Sequence, residues 1–223
     1  MSRFVVGLVF AAGLAAPSRA LAQPSAEDAL QRAITAHSKL KTLRATFTRS
    51  VTNPLTGSEV KTRGVVMRGL PSQLSVRFTN PTGDLIVADG KWIWVYLPST
   101  NPGQVIKMPV GENGAGAADV AAMFLPSPKL QYVVTDSGTG NVAGRRSRVL
   151  ILIPRAGTSA PFARATVWID TRDGLLRQFE TVEANGVVSR VTLTSLTPNA
   201  KFDGSTFMFT PPKGVKIFEQ GTR

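Results

Sequence analysis

The chain contains no cysteine and a single histidine, His37, and its 14 Asp and Glu face 26 Lys and Arg. Without cysteine there is no disulfide framework, no thiol nucleophile, no thiolate-bound zinc and no lipid-accepting cysteine of its own. One histidine is too few for a histidine-based metal centre or a proton relay. Charged residues are only 18% of the chain and hydrophobic residues 43%. That balance is wrong for a disordered polymer and sufficient to fill one sizeable core. Membrane-spanning runs are lacking as well. The apolar stretch Phe4–Ala16 has about a dozen residues, where a spanning helix needs about 20.

Catalytic motifs are also missing. There is no G-x-S-x-G elbow, Walker A loop, H-E-x-x-H pair or EF-hand loop. The carboxylates do not pair up: Glu27 and Asp28 open a helix, while Asp89, Asp173 and Asp203 precede turn glycines. No catalytic residue, metal site or cofactor is therefore expected, and the chain is not expected to be an enzyme.

What is present starts with an export signal. Arg3 supplies a positive start, Phe4–Ala16 the apolar segment and Ala20-Leu21-Ala22 a small-x-small cleavage pattern. Residues 1–22 are expected to be a signal peptide, and residues 23–223 a single exported domain with a basic net charge.

Ser25 to Lys41 reads as an amphipathic helix, with Ser25 capping towards Asp28 and Leu30, Ala33, Ile34, His37 and Leu40 forming one stripe. His37, at the stripe's edge, reads as a packed residue rather than a ligand. Beyond Thr42 the period switches to two. Strands are expected from Leu43, at Val60–Arg68, Gln73–Thr79, Asp84–Ala88, Lys91–Leu97 and Gln104–Met108. The series continues with Tyr132–Thr135, Val149–Ile153, Ala165–Asp170, Leu175–Val182, Val187–Leu196 and Phe207–Thr210. Asp89-Gly90, Asp173-Gly174 and Asn185-Gly186 are hairpin signals, because both residues tolerate positive φ. Gly138-Thr139-Gly140 reads as a turn. About eleven short strands with tight turns give a large antiparallel sheet, curled or closed. Ala117–Leu125 interrupts the series as a short helix ended by Pro126.

An antiparallel sheet with one wet face alternates apolar and polar positions. Trp92 to Leu97 and Val149 to Ile153 are apolar throughout, so those strands need cover on both faces. A filled β-sandwich and a curled sheet with helices over an apolar cavity satisfy that need equally. Arg145-Arg146-x-Arg148 is the densest basic cluster. It reads as a solvated hairpin edge that discourages strand-to-strand aggregation, and nucleic acid is not an expected partner for an exported chain.

Three stretches together resemble the LolA family of periplasmic lipoprotein carriers: Leu43-Arg44-Ala45-Thr46-Phe47-Thr48-Arg49, Asp89-Gly90-Lys91-Trp92-Ile93-Trp94-Val95-Tyr96-Leu97-Pro98, and Phe207-Met208-Phe209-Thr210-Pro211-Pro212-Lys213-Gly214-Val215. The resemblance implies an incomplete antiparallel β-barrel with an α-helical lid over an apolar cavity. It implies a monomer in the periplasm that binds acylated lipoproteins. Its donor would be an inner-membrane Lol ABC transporter complex, and an outer-membrane receptor or the membrane itself would accept the cargo. A LolA-like module that senses lipidated components without ferrying them is the alternative.

The family's lid-latching Arg-Pro is Leu70-Pro71 here, and its glutamine after the first strand's Phe-x motif is Arg49. Arg68, on the same strand face as Leu70, is the candidate latch in its place. If that face is the interior, Val66, Leu70, Leu74, Val76 and Phe78 line the acyl cavity, with Trp94 and Tyr96 contributing from the next strands. Val120, Met123, Phe124 and Leu125 are then the lid.

Overall fold

A computed structural model describes residues 25–69, 72–111, 131–158 and 160–221. Helix α1 spans Ala26–Ser38. It is followed by β1 (Leu43–Thr52), β2 (Glu59–Arg68), β3 (Gln73–Asn80), β4 (Thr82–Asp89), β5 (Trp92–Tyr96) and β6 (Gln104–Pro109). The second series is β7 (Tyr132–Val142), β8 (Arg145–Pro154), β9 (Arg164–Asp170), β10 (Leu176–Val182), β11 (Val188–Pro198) and β12 (Lys216–Glu219). All twelve strands form one sheet in the order β12-β6-β5-β4-β3-β2-β1-β11-β10-β9-β8-β7. Two antiparallel meanders are thus sewn together where β1 pairs with β11.

The sheet is open, since β12 and β7 each have a neighbour on one side only. It is also curled. Ile93 on β5, Tyr132 on β7 and Leu30 on α1 share one buried cluster, although eight strands lie between β5 and β7 in the sheet order. Curling is how a sheet with apolar residues on one side buries them against itself. The Ser25 hydroxyl accepts from the Asp28 amide and starts α1 as its sequence dictates. The helix then lays Ala29, Leu30, Ala33 and His37 into the concave side.

The convex side of β3–β6 is covered differently. After β11, residues 199–215 cross the sheet from β1 to β6. Asn199 donates its amide to Thr42, and the Phe207 ring sits so close to Gly69 that a Cβ there would meet it at 2.8 Å. Phe209 packs at 5.9 Å from Trp94 and 5.8 Å from Tyr96. The chain then adds β12 parallel to β6. Beneath this strap Ser75, Val87 and Val105 are fully buried.

Two expectations need correction. Phe207–Thr210 is not a strand: its two phenylalanines are spent on the strap, and the last strand is Lys216–Glu219. Gly138–Gly140 lies within β7, at a register irregularity between Asp136 and Thr139, and the β7–β8 turn is made by Ala143 and Gly144, both at positive φ. The expected incomplete antiparallel barrel of about eleven strands is present, as one open, curled sheet of twelve strands among the described residues. Leu70 and the expected helix with Val120, Met123, Phe124 and Leu125 lie outside the described residues. No described helix is long and apolar enough to cross a membrane.

Candidate functional site

The concave face encloses a cavity of about 390 Å³, within the usual size range of ligand pockets. Register explains which residues reach it. Arg68 pairs with Leu43 and Leu74, Val66 with Ala45 and Val76, and Gly64 with Phe47 and Phe78. Odd positions of β1 and even positions of β2 and β3 therefore share the concave face. Gly64 has no side chain because the Phe47 ring occupies the space: an added Cβ would stand 2.9 Å from it. Phe47 in turn meets Phe78 edge to face at 5.8 Å.

Of the residues singled out in the sequence, Val66, Arg68, Leu74, Val76 and Phe78 line the cavity. Trp94 and Tyr96 do not. Ala88 pairs with Ile93 and Ile86 with Val95, so the turn between β4 and β5 changes the inward parity from even to odd. Ile93 and Val95 join the concave cluster, while Trp94 and Tyr96 face the strap. Asp89 fixes this outcome. Its carboxylate accepts the Lys91 and Trp92 amides, each at 2.8 Å, and the Trp94 indole N–H at 2.9 Å. Lys107 lies 4.0 Å above the Trp92 ring on the same outer side, a cation–π arrangement.

The C-terminal meander supplies a wall that the sequence reading did not assign: Phe162, Leu176, Phe179, Val191 and Leu193. Leu176 and Phe179 are three residues apart yet on one face, because a bulge falls between Leu176 and Gln178 and breaks the alternation.

Helix α1 closes one end of the cavity through His37. The Leu176 amide donates to His37 Nε2 at 3.0 Å, and Arg68 donates to the His37 carbonyl at 3.2 Å. A guanidinium at a helix C-terminus also meets the negative end of the helix dipole. Burial pushes the His37 pKa down from 6.5 to about 4, helped by the charges of Arg68 and Arg177 and opposed by Asp173. The imidazole is neutral at physiological pH, which leaves Nε2 free to accept.

Arg177 belongs to an ion-pair network beside this end. Asp170, fully buried at its side chain, binds Arg145 Nε at 2.5 Å and Arg177 Nε at 3.0 Å, and Asp173 bridges the same two guanidinium groups. Burial opposes ionisation of Asp170, yet the Arg172 amide and the guanidinium groups of Arg145 and Arg177 hold its carboxyl below the usual value. Arg148 pairs with Asp136. Two arginines of the basic cluster are thus structural, and Arg146 is exposed. Among the described residues, no group of His, Cys, Asp and Glu could hold a metal ion.

The site is thus a mainly apolar hollow. Residues 38–210 match the family model described as outer membrane lipoprotein carrier protein LolA. An outer-membrane lipoprotein carrier protein of Xanthomonas campestris pv. campestris is 30% identical over 180 residues, covering 80% of this chain and 82% of its own length. One from Methylibium petroleiphilum is 29% identical over 185 residues, covering 82% and 85%. An uncharacterized conserved protein from Thermus thermophilus has the same fold, with TM-score 0.57 at 14% identity over 87% of this chain and 99% of its own. The chain belongs to the LolA family of outer membrane lipoprotein carrier proteins.

Proposed function

We propose that this protein is a periplasmic carrier that receives the acyl chains of lipoproteins in its concave cavity and conveys them to the outer membrane. The observation that carries this reading is the apolar 390 Å³ hollow on the inner face of a LolA-family sheet. The protein is a carrier-family chain and not an enzyme. Residues 1–22 serve as the export signal and residues 23–223 as the carrier domain. Val66, Leu74, Val76 and Phe78 contact the acyl chains. Arg68 acts as the latch, in a form that the sequence did not anticipate: it grips the end of α1.

Energetics favours partial burial of the cargo. Sequestering acyl chains yields about 0.8 kcal/mol per methylene, so three chains of about fifteen methylenes each would give ~36 kcal/mol. Non-covalent binding saturates near 20 kcal/mol, and a carrier that approached this limit would not hand its cargo on. Opening the cavity therefore offsets part of the gain. Transfer then runs down a gradient of affinity from an inner-membrane Lol ABC transporter, which spends the ATP, to an outer-membrane acceptor.

Incubation with spheroplasts tests the proposal. The purified protein should release lipoproteins into the soluble fraction as stoichiometric complexes. Retention of all lipoproteins on the membrane, with a folded protein, would favour the sensing module instead.

A further inference from the structure

Three charged residues interrupt the apolar wall, Arg49, Arg68 and Glu183, and of these Arg68 is bound to the end of α1. Arg49 follows Phe47 on the inward face of β1 and lines the cavity with Thr181, Glu183 and Ser189. It lies six residues along β1 from Leu43, roughly 20 Å at strand rise, so it stands at the opposite end from α1 and His37. Its Nε donates to Ser189 Oγ at 3.2 Å, which holds the guanidinium in place. No ion pair among the described residues engages Arg49, and none joins it to Glu183 on the same rim. The far end of the cavity thus offers an exposed cation without an ion-pair partner among the described residues, with greasy walls behind it.

The dimensions suit one kind of ligand. A bilayer's hydrocarbon core of about 30 Å is two tails thick, so a single tail of roughly 15 Å fits between His37 and Arg49 with its polar end at the guanidinium. A cation at the mouth of a low-dielectric hollow attracts an anion more strongly than it would in open water. The guanidinium fork matches a carboxylate or a phosphate. We propose that Arg49, with Ser189, makes the cavity mouth an anion-recognising site, so that an acyl amphiphile whose polar end carries a carboxylate or phosphate binds in preference to a neutral one. This rests on the acyl-binding reading above and adds a ligand to it, because the acyl chains of a lipoprotein are held in ester and amide bonds and carry no such anion. Glu183 works against it, and its neutralisation strengthens the preference.

Competition against a fluorescent acyl probe at pH 8, with the full exported chain, tests the assignment. Hexadecanoate and hexadecyl phosphate should outcompete hexadecanol by about tenfold, the worth of one charge-assisted hydrogen bond, and added salt should shrink the margin. Their ratio identifies the anion that fits better. Arg49→Gln should abolish the margin, bringing the acid and the phosphate to the affinity of the alcohol. Glu183→Gln should widen it, and Arg77→Gln, on the convex face, should leave it intact. Equal affinity of acid and alcohol for the unaltered protein, or a margin that survives Arg49→Gln, overturns the proposal. If none of the three amphiphiles displaces the probe, the acyl-binding reading falls with it.

Discussion

The two faces of β3–β5 carry side chains of similar hydrophobicity and meet different fates. On the convex face Val87, Trp94 and Tyr96 lie under a strap of the chain itself, with Phe207 and Phe209 as its anchors. On the concave face Val76, Phe78 and Ile86 border a hollow. Both faces satisfy the demand that an apolar strand be covered. The difference lies in what covers them: a covalently continuous segment tied to both margins, or a helix end held at His37 by one bond from Leu176 and one from Arg68. Apolarity alone therefore does not mark a binding surface. Among the described residues, the concave face is the one left unfilled.

The largest effect expected is on the convex side. Phe207 is 8% exposed, and Phe207→Ala should cost about 3–5 kcal/mol in urea unfolding while acyl affinity per folded molecule stays the same. A parallel loss of affinity would mean that the two faces are not independent.

Next is the concave cover. The folded state lowers the His37 pKa from 6.5 to about 4, so it favours the neutral ring. The stability this contributes is complete above pH 6.5 and is lost as pH falls from there through 4. The loss amounts to about 3 kcal/mol. Other acid-sensitive groups, Asp170 among them, weaken the protein over part of this range, so the signature is a difference: His37→Gln should flatten the profile between pH 7 and 4 by that amount. Parallel profiles for the two proteins would remove His37 from the account.

Much of this contrast is legible in the sequence and part of it is not. The unbroken apolar run Trp92–Leu97 announces a strand covered on both sides, and the structure supplies both covers. Which side faces the hollow depends on how the four residues from Asp89 to Trp92 turn the chain, and strand parity does not carry across a turn whose geometry is unknown. That is why Trp94 and Tyr96 read as interior and stand outside. The bulge at Leu176–Gln178 hid the C-terminal wall in the same way, since a single extra residue exchanges the faces. Phe207 and Phe209 alternate as in a strand, yet they serve a crossing segment whose partners are remote in sequence. Short β12, only four residues long, follows a Pro-Pro-Lys-Gly stretch and gains its partner only through that crossing. Within β1–β3, where register runs without a parity change from Leu43 to Arg68 to Leu74, the positions of Val66, Arg68, Leu74, Val76 and Phe78 follow from alternation alone.

The central claim is that the concave hollow is vacant so that acyl chains can enter it. Titration of cis-parinaric acid into the unaltered protein and into Val66→Trp tests this most directly, because Val66 lines the hollow and the larger ring fills it. The account predicts saturable binding to the unaltered protein and at least about a tenfold loss, 1.4 kcal/mol, in a variant that still folds. Undiminished affinity in the filled variant would contradict it.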